Sequence, residues 1–127
     1  MMQCLIYSQG ELIGEATFTA LDSGMGVVYA PFHPNQNYDK ISPLIREFSL
    51  LGSFADINAT EETRLHAEEV FRRLQALELQ ACTLAGEDTD PAGGVSIEDF
   101  SEEFEDDPCA VTLLGLPRSI CEKYFND

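Results

Sequence analysis

Thr60-Glu61-Glu62-Thr63-Arg64-Leu65-His66-Ala67-Glu68-Glu69-Val70-Phe71-Arg72-Arg73-Leu74-Gln75-Ala76 is the stretch on which the fold turns. Ala67, Val70, Phe71, Leu74 and the following Leu77 recur at helical spacing, which predicts an amphipathic helix with those residues as its core stripe. The helix starts near Asn58 or Thr60 and runs to about Ala76. On the solvated face Glu68 precedes Arg72 and Glu69 precedes Arg73 by four residues, an order that stabilises a helix by about 0.3–0.5 kcal/mol per pair. A shorter helix is predicted just upstream. Ser42 is its N-cap, Pro43 its first residue, Leu44, Phe48 and Leu51 its apolar stripe, and Gly52 its end.

Outward from this helical pair the period changes to that of strands. Upstream, Gln3 to Ser8 and Leu12 to Leu21 form a hairpin around Gln9-Gly10, with Ala16, Phe18 and Ala20 on one face of the second strand. Asp22 to Gly26 is a turn, Val27 to Ala30 a third strand, and Pro31 ends it or holds it at an edge, since proline cannot donate to a ladder. His33 to Asn37 reads as loop. Downstream, Leu77 to Leu84 alternates, Gly86 to Gly94 is a polar turn region, Val95 to Phe100 is a strand, and Cys109 to Leu116 is apolar enough for a central one. Pro117 then opens a final helix carrying Ile120, Cys121, Tyr124 and Phe125. The expected fold is α+β: one antiparallel or mixed sheet of five to six strands with two to three helices on one face, in the order β-β-β-α-α-β-β-β-α. With 127 residues and no Pro/Ser-rich linker, residues 1–127 read as a single globular domain.

Charge narrows the function. The chain has 23 acidic and 7 basic side chains, a formal charge of −16. Nucleic-acid binding requires a basic footprint, so that class is set aside, and an anionic membrane surface would repel the chain for the same reason. The first ten residues have no basic region and an apolar run of only four residues, Cys4 to Tyr7, so neither a secretory leader nor a membrane span is expected. Cys4, Cys82, Cys109 and Cys121 form no Cys-x-x-Cys pair and are flanked by apolar residues, which reads as buried free thiols in the cytoplasm.

Three patterns resemble metal sites and fall short. His66-Ala67-Glu68 with Pro108-Cys109 is similar to the signature of zinc-dependent nucleobase deaminases, but Thr112 stands where the second thiolate belongs, leaving two ligands instead of three. Asp88 to Asp99 resembles an EF-hand loop at Asp88, Asp90, Gly93 and Asp99, yet Ala92 lacks an oxygen and the last position lacks a bidentate Glu. Glu62, His66 and Glu69 share a helix face with the wrong spacing for a di-iron bundle. No metal and no cofactor is expected. Nucleophilic catalysis has no Gly-x-Ser-x-Gly elbow to rest on.

The informative feature is an acidic run. Between Glu98 and Asp107, seven of ten residues are acidic: Glu98, Asp99, Glu102, Glu103, Glu105, Asp106 and Asp107. Phe100 and Phe104 interrupt the acids, and no basic residue lies between Gln80 and Arg118. A concentrated negative field speeds encounter with a positive partner, and aromatics within it supply a desolvated anchor. The expectation is a non-catalytic interaction module binding a basic protein, one form being an inhibitor or immunity protein that mimics nucleic-acid charge. The alternative is a small enzyme or ligand-binding domain using His33, Tyr38 and Asp39, where an imidazole that titrates near neutral pH sits beside a phenol and a carboxylate. A solvated loop that merely keeps the chain soluble would explain the same acids.

Overall fold

The computed structural model describes residues 1–19, 21–22, 26–54, 60–99 and 109–125. The strands are β1 (Met2–Ser8), β2 (Glu11–Phe18), β3 (Leu21–Asp22), β4 (Val27–Pro31), β5 (His33–Pro34), β6 (Leu79–Thr83), β7 (Gly94–Asp99) and β8 (Cys109–Leu114). The helices are α1 (Ser42–Phe54), α2 (Glu61–Ala76) and α3 (Arg118–Phe125), with a 3-10 turn over Gln36–Lys40. The class is α+β, but the strands divide into two antiparallel sheets, ordered β5-β2-β1-β6 and β3-β4-β8-β7. The single sheet of five to six strands expected from the sequence is therefore corrected, and so is the order, since five strands precede α1 where three were expected.

The division begins after Phe18. The expected strand Leu12 to Leu21 is two strands, since β2 stays beside β1 while Leu21–Asp22 pairs with Val28 and Val27 in the other sheet. No local signal marks this switch. Pro31 is the last residue of β4, opposite Ala110, where its missing N–H costs no interior ladder bond. The hairpin β1–β2 forms as read, with Gln9 and Gly10 both at positive φ. It also carries a bulge: Ile6 pairs with Gly14 and Tyr7 with Leu12, so Ile13 is the extra residue and both it and Gly14 are buried. The stretch His33 to Asn37 is not plain loop. It holds β5 and starts the 3-10 turn, capped by the Asn35 side chain, which accepts from the Asn37 N–H.

The core lies between the sheets. Met2, Cys4 and Ile6 of β1, Ala16 and Phe18 of β2, Val28 and Ala30 of β4, Ile97 of β7 and Val111 and Leu113 of β8 form one buried cluster. β8 is central, between β4 and β7, as its apolar run requires. All four cysteines are free thiols. Cys4 faces Thr83 and Cys82 faces the adjacent Leu5, so the two thiols point to opposite sides of the sheet and cannot bridge.

Helix boundaries follow local chemistry. Thr60 caps α2, its hydroxyl accepting from the Thr63 N–H at 3.2 Å. Ser42 differs from its expected role. It is the first residue of α1, and its hydroxyl donates to the Asp39 carbonyl at 3.3 Å. Gly52 does not stop α1, which continues to Phe54. The helices are not gathered on one face. α1 packs on β7 and α2 on α1, whereas α3 is tied elsewhere. There the Met1 ammonium donates to the Tyr124 carbonyl, and Lys123 and the Tyr124 hydroxyl both donate to Glu87. Among the described residues no helix is long and apolar enough to cross a membrane.

Candidate functional site

The acidic run begins inside β7, and the strand alternation separates its first two members. Val95, Ile97 and Asp99 lie two residues apart, which turns Asp99 toward the same side as the buried Ile97 and turns Glu98 to solvent. Phe100, Glu102, Glu103, Phe104, Glu105, Asp106 and Asp107 lie outside the described residues. The chain returns in β8 at Cys109, directly opposite Asp99.

Asp99 is fully buried and anchored. The Tyr38 hydroxyl donates to its Oδ2 at 2.6 Å, and the Arg46 Nε lies 3.3 Å from the same oxygen. Its backbone N–H donates to Ser49 Oγ at 3.0 Å, while the Ser49 hydroxyl donates to the Ile45 carbonyl. A carboxylate held by a phenol and a guanidinium is a satisfied buried charge. Burial, the bond to Asp99 and the nearby negative charge together push the Tyr38 hydroxyl far above its ordinary value. Burial, with Asp99 beside it, pushes the Cys109 thiol up to about 11. Both groups are therefore held protonated, which suits a structural anchor better than a nucleophile or base.

The loop alternative is rearranged by this contact. Tyr38 is turned inward to Asp99, whereas His33 is exposed on β5 opposite Glu15 and Asp39 is exposed in the 3-10 turn. The structure thus joins one residue of the suspected loop to one residue of the acidic run. Arg46, Ser49 and Cys109 complete the cluster and were invisible as a group, because they approach from α1 and β8. The signal within reach was the two-residue spacing from Ile97 to Asp99.

The motifs set aside above have ordinary partners. His66 Nε2 meets Glu47 of α1 at 2.9 Å, linking the two helices. Asp88 accepts from the Asp90 N–H and from the Gln80 side chain, closing the turn before β7.

A groove of about 490 Å³ runs beside β7. Phe48 of α1, Phe71 and Leu74 of α2, Leu79 of β6, and Val95 and Ile97 of β7 line it, with Glu78 its only charged group among the described residues. Helical spacing predicts Phe71 in the core. It is 49% exposed, its ring centroid 6.2 Å from that of Phe48, so this member of the expected core stripe of α2 is instead a wall of the groove, while Val70 is buried and Leu74 and Leu77 pack against the core. Its volume falls in the usual range of ligand sites. The chain matches no family model, no curated protein and no solved structure.

Proposed function

We propose that the protein is a non-catalytic interaction module whose acidic surface receives a basic protein. The observation that carries this reading is the shortage of cations. Among the described residues, five of the seven basic side chains, Lys40, Arg46, Arg73, Arg118 and Lys123, already hold a carboxylate within 4.0 Å, against 23 acids in the chain. The surplus of negative charge has nothing in the chain to neutralise it, and a partner with a basic face gains both steering and complementarity. The anchoring of Asp99 supports the reading, because it ties the base of the acidic run to the core and leaves Glu98 outward. An inhibitor that mimics a polyanion is the narrower form this charge suits.

The test is affinity capture from the native host at low and high salt. It compares the natural chain with a variant carrying Glu102→Gln, Glu103→Gln, Glu105→Gln and Asp106→Asn. Basic proteins retained at low salt, released at high salt and lost from the variant are the expected result. A captured set unchanged by salt and by the four substitutions overturns the proposal.

A further inference from the structure

Antiparallel pairing alternates the direction of each residue's backbone groups. Cys109 of β8 accepts from the Phe32 N–H on the β4 side, and Leu114 accepts from the Gly93 N–H on the β7 side. Odd-numbered residues of β8 therefore bond toward β4 and even-numbered ones toward β7. Through the register, Gly94, Ser96 and Glu98 bond to β8, while the N–H and C=O groups of Val95, Ile97 and Asp99 face away from the sheet. Asp99 is closed off by Ser49. Among the described residues no hydrogen bond reaches the outward groups of Val95 and Ile97.

Among the described residues the other edge strands are shorter or already bonded. β3 and β5 are two residues long. The edge of β6 is bonded by the chain that follows it, with Thr83 donating to Glu87, Thr89 donating to Ala81, and Cys82 bridged to Asp88. β7 is a six-residue edge strand, and its outward groups at Val95 and Ile97, unbonded among the described residues, border the groove.

We infer that the outer edge of β7 accepts an extended segment of the basic partner as an added strand, apolar side chains entering the groove and Lys or Arg flanking them. Donors and acceptors repeating at Val95 and Ile97 match the repeat of a strand backbone, which a compact ligand does not reproduce. Charge selects the flanks. Glu78 lines the groove, Glu98 is exposed on the same strand, and no cation lines the groove among the described residues. Glu78 also sits at φ 48°, in the left-handed region where glycine is unstrained, so a carboxylate stands at this wall despite the backbone's preference. The inference rests on the basic-partner reading and specifies where and how that partner binds.

The experiment uses the full chain labelled with nitrogen-15 and a blocked hexapeptide alternating lysine and valine. Its twin of equal charge is N-methylated on alternate residues. Expected are amide shifts centred on Val95 and Ile97, binding about tenfold weaker for the twin, and a similar loss in Val95→Pro, which removes an outward donor and no bond to β8. Equal binding of the two peptides, or shifts centred elsewhere, overturns strand addition while leaving salt-sensitive capture of a basic protein intact. Absence of binding overturns it too. Decanoate displacing the peptide from the same amides at equal affinity marks a lipid pocket and likewise overturns it. Should Val95→Pro fail to fold, the methylated twin on the natural chain decides.

Discussion

Tyr38 and Asp99 meet at 2.6 Å across 61 residues of chain, phenol to carboxylate, with both side chains buried. This bond joins the 3-10 turn after β5 to the last residue of β7, and Arg46 completes it from α1. Tyr38→Phe removes a donor while keeping the ring, whose edge-on packing with Phe32 at 5.3 Å is retained. A buried carboxylate that loses a partner costs about 1–3 kcal/mol. Urea unfolding is expected to show that loss at neutral pH with an unchanged slope against denaturant. A loss under about 0.5 kcal/mol would mean the bond contributes nothing net.

Three buried acids are expected to weaken the fold at alkaline pH. Cys4 is pushed up to about 12 by burial and then by Cys82, Cys109 to about 11 by burial and then by Asp99, and Tyr38 is also raised. Each folded value lies above the unfolded one, so the folded chain holds these protons more tightly. Their contribution is complete below pH 9, the ordinary thiol value, and falls as pH rises through the folded values, by at most about 1.4 kcal/mol per unit for each group. Unfolding free energy is expected to decline from pH 9 upward, and Cys4→Ala to flatten that decline at the expense of some packing. A profile flat to pH 11 would contradict it.

What the sequence disclosed was what depends on neighbours along the chain. Thr60 as cap, the turn at Gln9-Gly10 and the inward set Ala16 and Phe18 need only a few residues to specify them. The break into two sheets does not, because Leu21 leaves β2 for β4 only once Val27 and Val28 are there to receive it. Asp99 was hidden for a related reason. Set among acids it reads as solvated, and its partners lie on the 3-10 turn and α1. Helical spacing placed Phe71 correctly on the side of α2 that faces α1, but spacing does not report whether anything covers it.

Val70 and Phe71 turn that point into a measurement. They are neighbours on α2, one 1% exposed and the other 49%. Val70→Ala is expected to cost about 2 kcal/mol through lost burial and the cavity left behind. Phe71→Ala, although it deletes far more carbon, is expected to cost under about 1 kcal/mol, since half of the ring already faces water. Urea midpoints of the two variants give the comparison directly. A larger loss at Phe71 than at Val70 would make the groove wall part of the core.

Glu78 separates stability from binding. It follows α2 as the helix-terminating residue, its N–H donating to the Gln75 carbonyl, with φ at 48°. Glycine is the usual occupant of such a site. The left-handed backbone costs an L-residue about 1–2 kcal/mol, and glycine gives back about 0.5–1 kcal/mol of that through its freer unfolded chain. Glu78→Gly is thus expected to stabilise the fold by about 0.5–1 kcal/mol, read as a higher urea midpoint. The same change removes the one carboxylate of the groove wall among the described residues, so the lysine–valine peptide is expected to bind more weakly, and less so as salt rises. A variant that is more stable and binds the peptide as well as the natural chain would leave Glu78 with no role at the groove.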